Sequence, residues 1–134
     1  MRDYKVARLS ELPMFGTTSR RRLEEVAALA DEVMVRRGTT LTGRGERTTD
    51  FFVIEQGRAT RQIDGGTPIE IGRGDVFGEL PFEHAHSDAK GETIVAETDL
   101  RMLIVRRQAF PLLRELVPSL NGTLAEAAAL HSGF

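Results

Sequence analysis

A mainly β fold, a double-stranded β-roll of the jelly-roll or cupin-like barrel kind with α-helices at both ends, is the architecture this sequence predicts. Two observations carry it. From Val33 to Arg106 the chain breaks into short runs of β-forming residues separated by glycines, the pattern of a rolled antiparallel sheet. On both sides of that span the apolar residues recur at helical spacing instead.

Taken in order, Ser19 supplies a hydroxyl suited to cap the free amides of a first helical turn, and a helix is expected over 19–32. Leu23, Val26, Ala27 and Ala30 form its buried stripe. Arg20, Arg21 and Arg22 crowd the first turn, where positive charge opposes the helix dipole, and read as a solvated face. The strand candidates are Val33–Val35, Thr39–Thr42, Asp50–Glu55, Arg58–Ile63, Thr67–Ile71, Glu92–Ala96 and Arg101–Val105. Asp64-Gly65-Gly66 joins two of them as a hairpin turn, since glycine accepts the left-handed backbone that tight hairpins demand. Beyond Arg106, Gln108–Leu116 reads as a short helix with Pro111 in its first turn, where proline lacks no needed amide. Pro118 interrupts it. A last helix runs from Ser119 towards His131, with Leu120, Leu124, Ala127 and Ala128 on its apolar face and Gly122 weakening it.

A single domain over 1–134 is therefore expected, with the helix at 19–32, the roll at 33–106 and C-terminal helices at 107–131. A chain of 134 residues suffices for a proper core. The net charge of −2 offers no general nucleic-acid surface. Without cysteine there is neither a disulfide nor thiol catalysis. No apolar run reaches membrane-spanning length and the N-terminal MRDYKVARLS lacks a signal-peptide core, so a cytoplasmic domain without nucleic-acid or membrane partners is expected.

The stretch from Gly74 to Thr98 is where chemistry concentrates. Gly72, Gly74 and Gly78 sit among apolar residues, and glycine lets a backbone approach a ligand closely. Pro81 suits the first turn of a helix. A glycine turn feeding a helix presents several free N–H groups at one point, which favours an anion such as phosphate. Glu79 would repel a phosphate but can accept hydrogen bonds from sugar hydroxyls.

Gly-Asp-Val-Phe-Gly-Glu-Leu at 74–80, followed by Thr93-Ile94-Val95-Ala96-Glu97-Thr98-Asp99, resembles the phosphate-binding cassette of the cyclic nucleotide-binding domain family, which includes catabolite activator protein and the regulatory subunits of protein kinase A. Leu12-Pro13-Met14-Phe15, Gly45-Glu46, Phe52-Val53-Ile54-Glu55-Gln56-Gly57 and Phe110 fall in the family's order, so the similarity covers nearly the whole chain. The resemblance implies a regulatory, non-enzymatic sensor of cAMP or cGMP with no other cofactor. It implies a ligand site at Phe77, Gly78, Glu79, Leu80, Lys90, Gly91, Glu92 and Thr93, and terminal helices that move when ligand binds. The position that covers the base in relatives falls at or beyond Phe134. No output domain is read within the sequence, so signalling is expected to pass through an unknown protein partner. A monomer or weak homodimer is expected.

The cassette departs from its family in one respect. Relatives carry an arginine after the short helix, paired with the cyclic phosphate, whereas no arginine lies between Arg73 and Arg101. Alignment on Thr93–Ala96 puts Lys90 at that position, a cation without the planar fork. Gly91 and Glu92 replace the small residues that follow, and Glu83, Asp88 and Glu92 bring negative charge. Hydrogen bonds to charged groups are worth roughly 1.5–3 kcal/mol each and each ~1.4 kcal/mol is tenfold in affinity, so a micromolar site drifts towards millimolar. Two readings follow: a weak nucleotide sensor, or an interaction module that kept the fold and lost the ligand, pairing through Leu120/Leu124 or Arg20–Arg22.

Other signals have plainer explanations. His84 and His86 with Glu83 and Asp88 lack the fixed spacing of a metal site, and His131 is too remote to complete a histidine-based barrel enzyme. Gly43-Arg44-Gly45 and Gly72-Arg73-Gly74 lack the strand–helix setting of a dinucleotide fingerprint. Asn121-Gly122-Thr123 is a glycosylation sequon without a secretory signal. Phe51, Phe52, Phe77 and Phe110 read as core.

Overall fold

The computed structural model describes residues 2–42, 50–63, 65–78 and 92–122. Its elements are α1 (Arg2–Ser10), a 3-10 turn at Pro13–Phe15, α2 (Arg20–Leu29), strands β1 (Ala30–Val35), β2 (Thr40–Thr42), β3 (Asp50–Gln56), β4 (Arg58–Ile63), β5 (Ile69–Gly72), β6 (Val76–Gly78), β7 (Glu92–Ala96) and β8 (Leu100–Arg106), a second 3-10 turn at Arg107–Ala109, and α3 (Phe110–Leu116). Among the described residues no helix is long and apolar enough to cross a membrane.

The strands form two four-stranded antiparallel sheets, β1-β8-β3-β6 and β2-β7-β4-β5. Successive strands pass from one sheet to the other at Gly57, at Gly74 and between β7 and β8, which makes the expected mainly β roll between helices. Gly57 lies at φ 103° where a Cβ would sit 2.4 Å from Asp99 O and 2.7 Å from Leu100 Cδ2. Only glycine fits this crossing without displacing the β7–β8 connection.

The first sheet is buried on both faces, and strand alternation sorts its side chains. Phe51 and Val53 of β3 and Leu103 and Val105 of β8 join Val6, Leu9, Leu23, Val26, Phe110 and Leu113 in a core beneath the helices. Ile54, Leu100 and Met102 turn the other way, into the roll, with Ala59, Ile71, Phe77, Ile94 and Ala96. Phe51 and Phe110 meet edge-on with ring centroids 5.7 Å apart, an arrangement that aromatic quadrupoles favour.

The helices follow their local signals. Ser19 caps α2, its Oγ accepting from Arg22 N–H at 3.3 Å. Pro111 falls in the first turn of α3. Lys5 donates to Ala27 O at 2.6 Å and also to Ala30 O, so a cation from α1 satisfies carbonyls at the end of α2. Ser119 Oγ donates to Met14 O at 2.7 Å and ties the segment after α3 to the first 3-10 turn.

Four expectations need correction. The helix foreseen over 19–32 closes at Leu29, and Ala30–Val35 pairs along its whole length with β8. Ala30 stays buried at its helical spacing, but the ladder of hydrogen bonds from Val105 back to Leu100 outweighs one more helical turn. The stretch Val76–Gly78, read as part of a glycine turn, is a strand paired with β3. Helix α1 was not expected at all: its apolar positions are few, and Lys5 and Arg8 hold it by long-range contacts. The helix foreseen from Ser119 begins at Leu120, and its residues beyond 122 lie outside the described ones.

Candidate ligand-binding site

The glycine stretch is held to the body of the first sheet. Gly72 N–H donates to Asp75 Oδ2 at 2.7 Å and Asp75 N–H to Gly72 O at 2.9 Å, closing a turn. Gly74, at φ 88°, donates to Ile54 O at 2.8 Å, and Ile54 N–H donates to Asp75 O at 2.9 Å. Arg73 Nη2 reaches Glu11 O at 2.8 Å. The chain thus enters β6 from a fixed point, with Phe77 opposite Phe52 and Gly78 opposite Phe51.

Phe77 is fully buried and its ring stacks on Phe52, centroids 4.9 Å apart and 11° from parallel. The pair walls the roll interior. Gly78 ends β6 at φ 93°, a backbone conformation that side chains with a Cβ rarely adopt. On the facing sheet, β7 pairs with β4 so that Glu92 opposes Ile63, Thr93 opposes Gln62 and Ile94 opposes Arg61. Ile94 is fully buried in the interior cluster. Thr93 is half-buried and, one residue away, lies on the opposite face of its sheet. Of the expected site residues, Phe77 and Gly78 therefore end one sheet, and Glu92 and Thr93 begin a strand of the other. Glu79, Leu80, Lys90 and Gly91 lie outside the described residues, as do Gly45, Glu46, Glu83, His84, His86, Asp88 and His131.

Two buried charged residues escaped the sequence reading. Arg61 is 3% exposed and Glu55 4%. Alternation over Arg58–Ile63 already aligns Arg61 with Ala59, but an arginine in a strand of polar composition reads by default as solvent-facing. Glu55 points to the helix side of the first sheet, 3.8 Å from Arg101 Nε. Burial, followed by the neighbouring Glu32 carboxylate, pushes Glu55 up to about 7. Arg8 Nε donates to Glu32 Oε2 at 2.9 Å and Nη2 to Oε1, and these bonds hold Glu32 below the usual carboxylate range. The sheet that carries Phe77 and Gly78 is thus backed by an acid pair and two arginines.

Phe77, Ile94 and Ala59 are fully buried in the core of the roll with Phe52 packed against them, and Arg61 of β4 lies on the same strand face as Ala59.

The comparisons agree with this geometry. The profile described as "Cyclic nucleotide-binding domain" matches residues 32–115. An uncharacterised protein of Mycobacterium tuberculosis is 39% identical over 77 residues, covering 58% of this chain and 13% of the relative. The cAMP-dependent protein kinase regulatory subunit of Schizosaccharomyces pombe is 25% identical over 103 residues, 76% of this chain and 24% of that protein. The chain thus spans under a quarter of the length of either relative. Among solved structures, the regulatory subunit of a cAMP-independent protein kinase A from Trypanosoma cruzi, bound to guanosine, superposes with a TM-score of 0.75 at 20% identity, covering 93% of this chain and 46% of that one. At that identity the likeness establishes the fold. With the matched profile extending from β1 into α3, this chain belongs to the cyclic nucleotide-binding domain family.

Proposed function

We propose that the chain forms one regulatory domain over 1–134 that binds a cyclic nucleotide, cAMP or cGMP, weakly, and that it catalyses no reaction. The observation that carries this reading is Gly78: it ends β6 at φ 93°, directly after the Phe52–Phe77 pair, within the Gly74–Leu80 stretch that resembles the family's cassette. In this reading the phosphate is held by backbone amides following Gly78 and by Lys90, the ribose hydroxyls by Glu79, and the base enters the roll. Leu80, Gly91, Glu92 and Thr93 complete the surroundings. The kinship with a cAMP-dependent regulatory subunit supports a cyclic nucleotide. The guanosine-bound fold relative makes a nucleoside without phosphate a necessary third titrant. Output passes to a protein partner, and the domain is a monomer or weak homodimer.

The specific observation favouring the other reading, a ligand-independent interaction module, is the missing cassette arginine among Glu83, Asp88 and Glu92. Calorimetric titration at high protein concentration separates the two. Heats that saturate between micromolar and millimolar cAMP or cGMP support the sensor. Lys90→Arg should tighten that binding by restoring the fork, and Lys90→Ala should abolish it. No heat at millimolar ligand leaves the interaction module as the function.

A further inference from the structure

Glu55 is a buried acid that the ligand site does not use. It lies on the helix side of the first sheet, on the face of β3 that carries Phe51 and Val53, and only 4% of it is exposed. Among the described residues neither of its carboxylate oxygens accepts a hydrogen bond. The charged groups that face it are Glu32 of β1, Arg101 of β8 and Arg8 of α1. Arg101 Nε stands 3.8 Å away and makes no hydrogen bond itself. Nε and Nη2 of Arg8 both go to Glu32. Lys5 of α1 and Glu11 just beyond it act on Glu32 and Arg8 respectively.

Two ionised carboxylates in contact are both acceptors, so only a proton on one of them turns the contact into a hydrogen bond. Glu32 already accepts from Arg8 at both oxygens. The proton therefore belongs to Glu55, whose burial favours the neutral form. The element that covers this pair is α1: its Val6 and Leu9 enter the core on the same side of the sheet, and its Arg8 reaches Glu32. We propose that Glu55, Glu32 and Arg8 form a proton-dependent latch that holds α1 on the first sheet and releases it as Glu55 ionises. With α1 docked, an ionised Glu55 is a buried anion without a donor, which is costly. With α1 lifted, both acids meet water and ionise freely. Glu55 sits at about 7 when docked, against about 4.3 for an exposed glutamate. The docked state binds the proton more tightly, so docking is at full strength below about 4.3 and weakens as pH rises towards 7. Near neutrality a modest change in acidity thus biases the position of the helix.

The test is hydrogen exchange of the full chain from pH 5 to 8, read as protection factors for the amides of α1, β3 and β8. Helix α1 should exchange through its own opening, with lower protection than the two strands at every pH. That protection should fall at least about tenfold from pH 5 to 8. Glu55→Gln is neutral throughout and its amide donates to Glu32 as the protonated acid does, so in this variant the fall should disappear. Carbon-13 shifts of the wild-type carboxyl groups need no variant, and Glu55 should titrate near neutrality. Circular dichroism verifies that Glu55→Gln folds; should it not, the wild-type protection factors and carboxyl shifts still decide. Protection of α1 that is independent of pH, or equal to that of the strands, overturns the proposal. So does a fall that survives in Glu55→Gln, or a Glu55 carboxyl that titrates in the ordinary glutamate range.

Discussion

Arg8 of α1 holds Glu32 of β1 by a two-pronged ion pair, Nε to Oε2 at 2.9 Å and Nη2 to Oε1. The contact joins residues 24 positions apart and pins the N-terminal helix to the sheet that carries Phe77 and Gly78. Their side chains are 30% and 18% exposed, so the pair is shielded enough to matter and solvated enough to tolerate its charges.

Arg8→Ala should lower stability by about 2 kcal/mol, less than the loss of a fully buried partner, because Glu32 retains some access to water. Hydrogen exchange gives the sharper readout: amides of α1 should lose protection before those of β3 and β8. Uniform loss across the chain would mean that the pair stabilises the whole fold and not the docking of the helix.

Glu55 and Glu32 make opposite contributions to stability as pH changes. Glu55 sits at about 7 in the folded state against about 4.3 in an unfolded chain. Its contribution is complete below the unfolded value and disappears as pH rises towards 7, a loss on the order of 3 kcal/mol. Glu32 is shifted downwards, so its contribution is present above the unfolded value and disappears as pH falls through its folded one. Stability should peak in mildly acidic solution. Thermal melts from pH 4 to 8 check this. Glu55→Gln, which is neutral throughout, should flatten the decline between pH 5 and 7, and an unchanged slope would show that Glu55 is not its source.

Gly57 and Gly38 separate backbone strain from steric overlap. Both have positive φ, 103° and 88°, yet a Cβ at Gly38 meets nothing within 4 Å while one at Gly57 runs into Asp99 O and Leu100. Gly38→Ala should cost about 1 kcal/mol from strain alone. Gly57→Ala should cost at least about 3 kcal/mol, since the sheet-to-sheet crossing has to move. Equal costs in chemical denaturation would locate the requirement in φ and not in space.

Glu79 should matter to ligand alone. If its carboxylate accepts from ribose hydroxyls, Glu79→Gln replaces a charge-assisted acceptor with a neutral one, and affinity for cyclic nucleotide should fall about tenfold. Calorimetry with an unaltered constant would remove Glu79 from the site.

Much of this molecule was set by residue order alone. The glycine-broken runs between 33 and 106 specified strands, and Ser19 and Pro111 specified helix starts, because φ/ψ sterics and capping act over a few residues. The family cassette was legible for the same reason, as a run of glycines and an acid at fixed spacing. Only the tertiary structure decided that Ala30 leaves the helix for a strand, that Val76–Gly78 pairs with β3, and that α1 exists. In each case a distant partner supplies the hydrogen bonds or charge that local propensity does not. It alone also put Arg61 and Glu55 inside. Alternation says which residues share a face, but the burial of that face depends on which sheet closes over it, and that is settled by contacts between residues far apart in the chain.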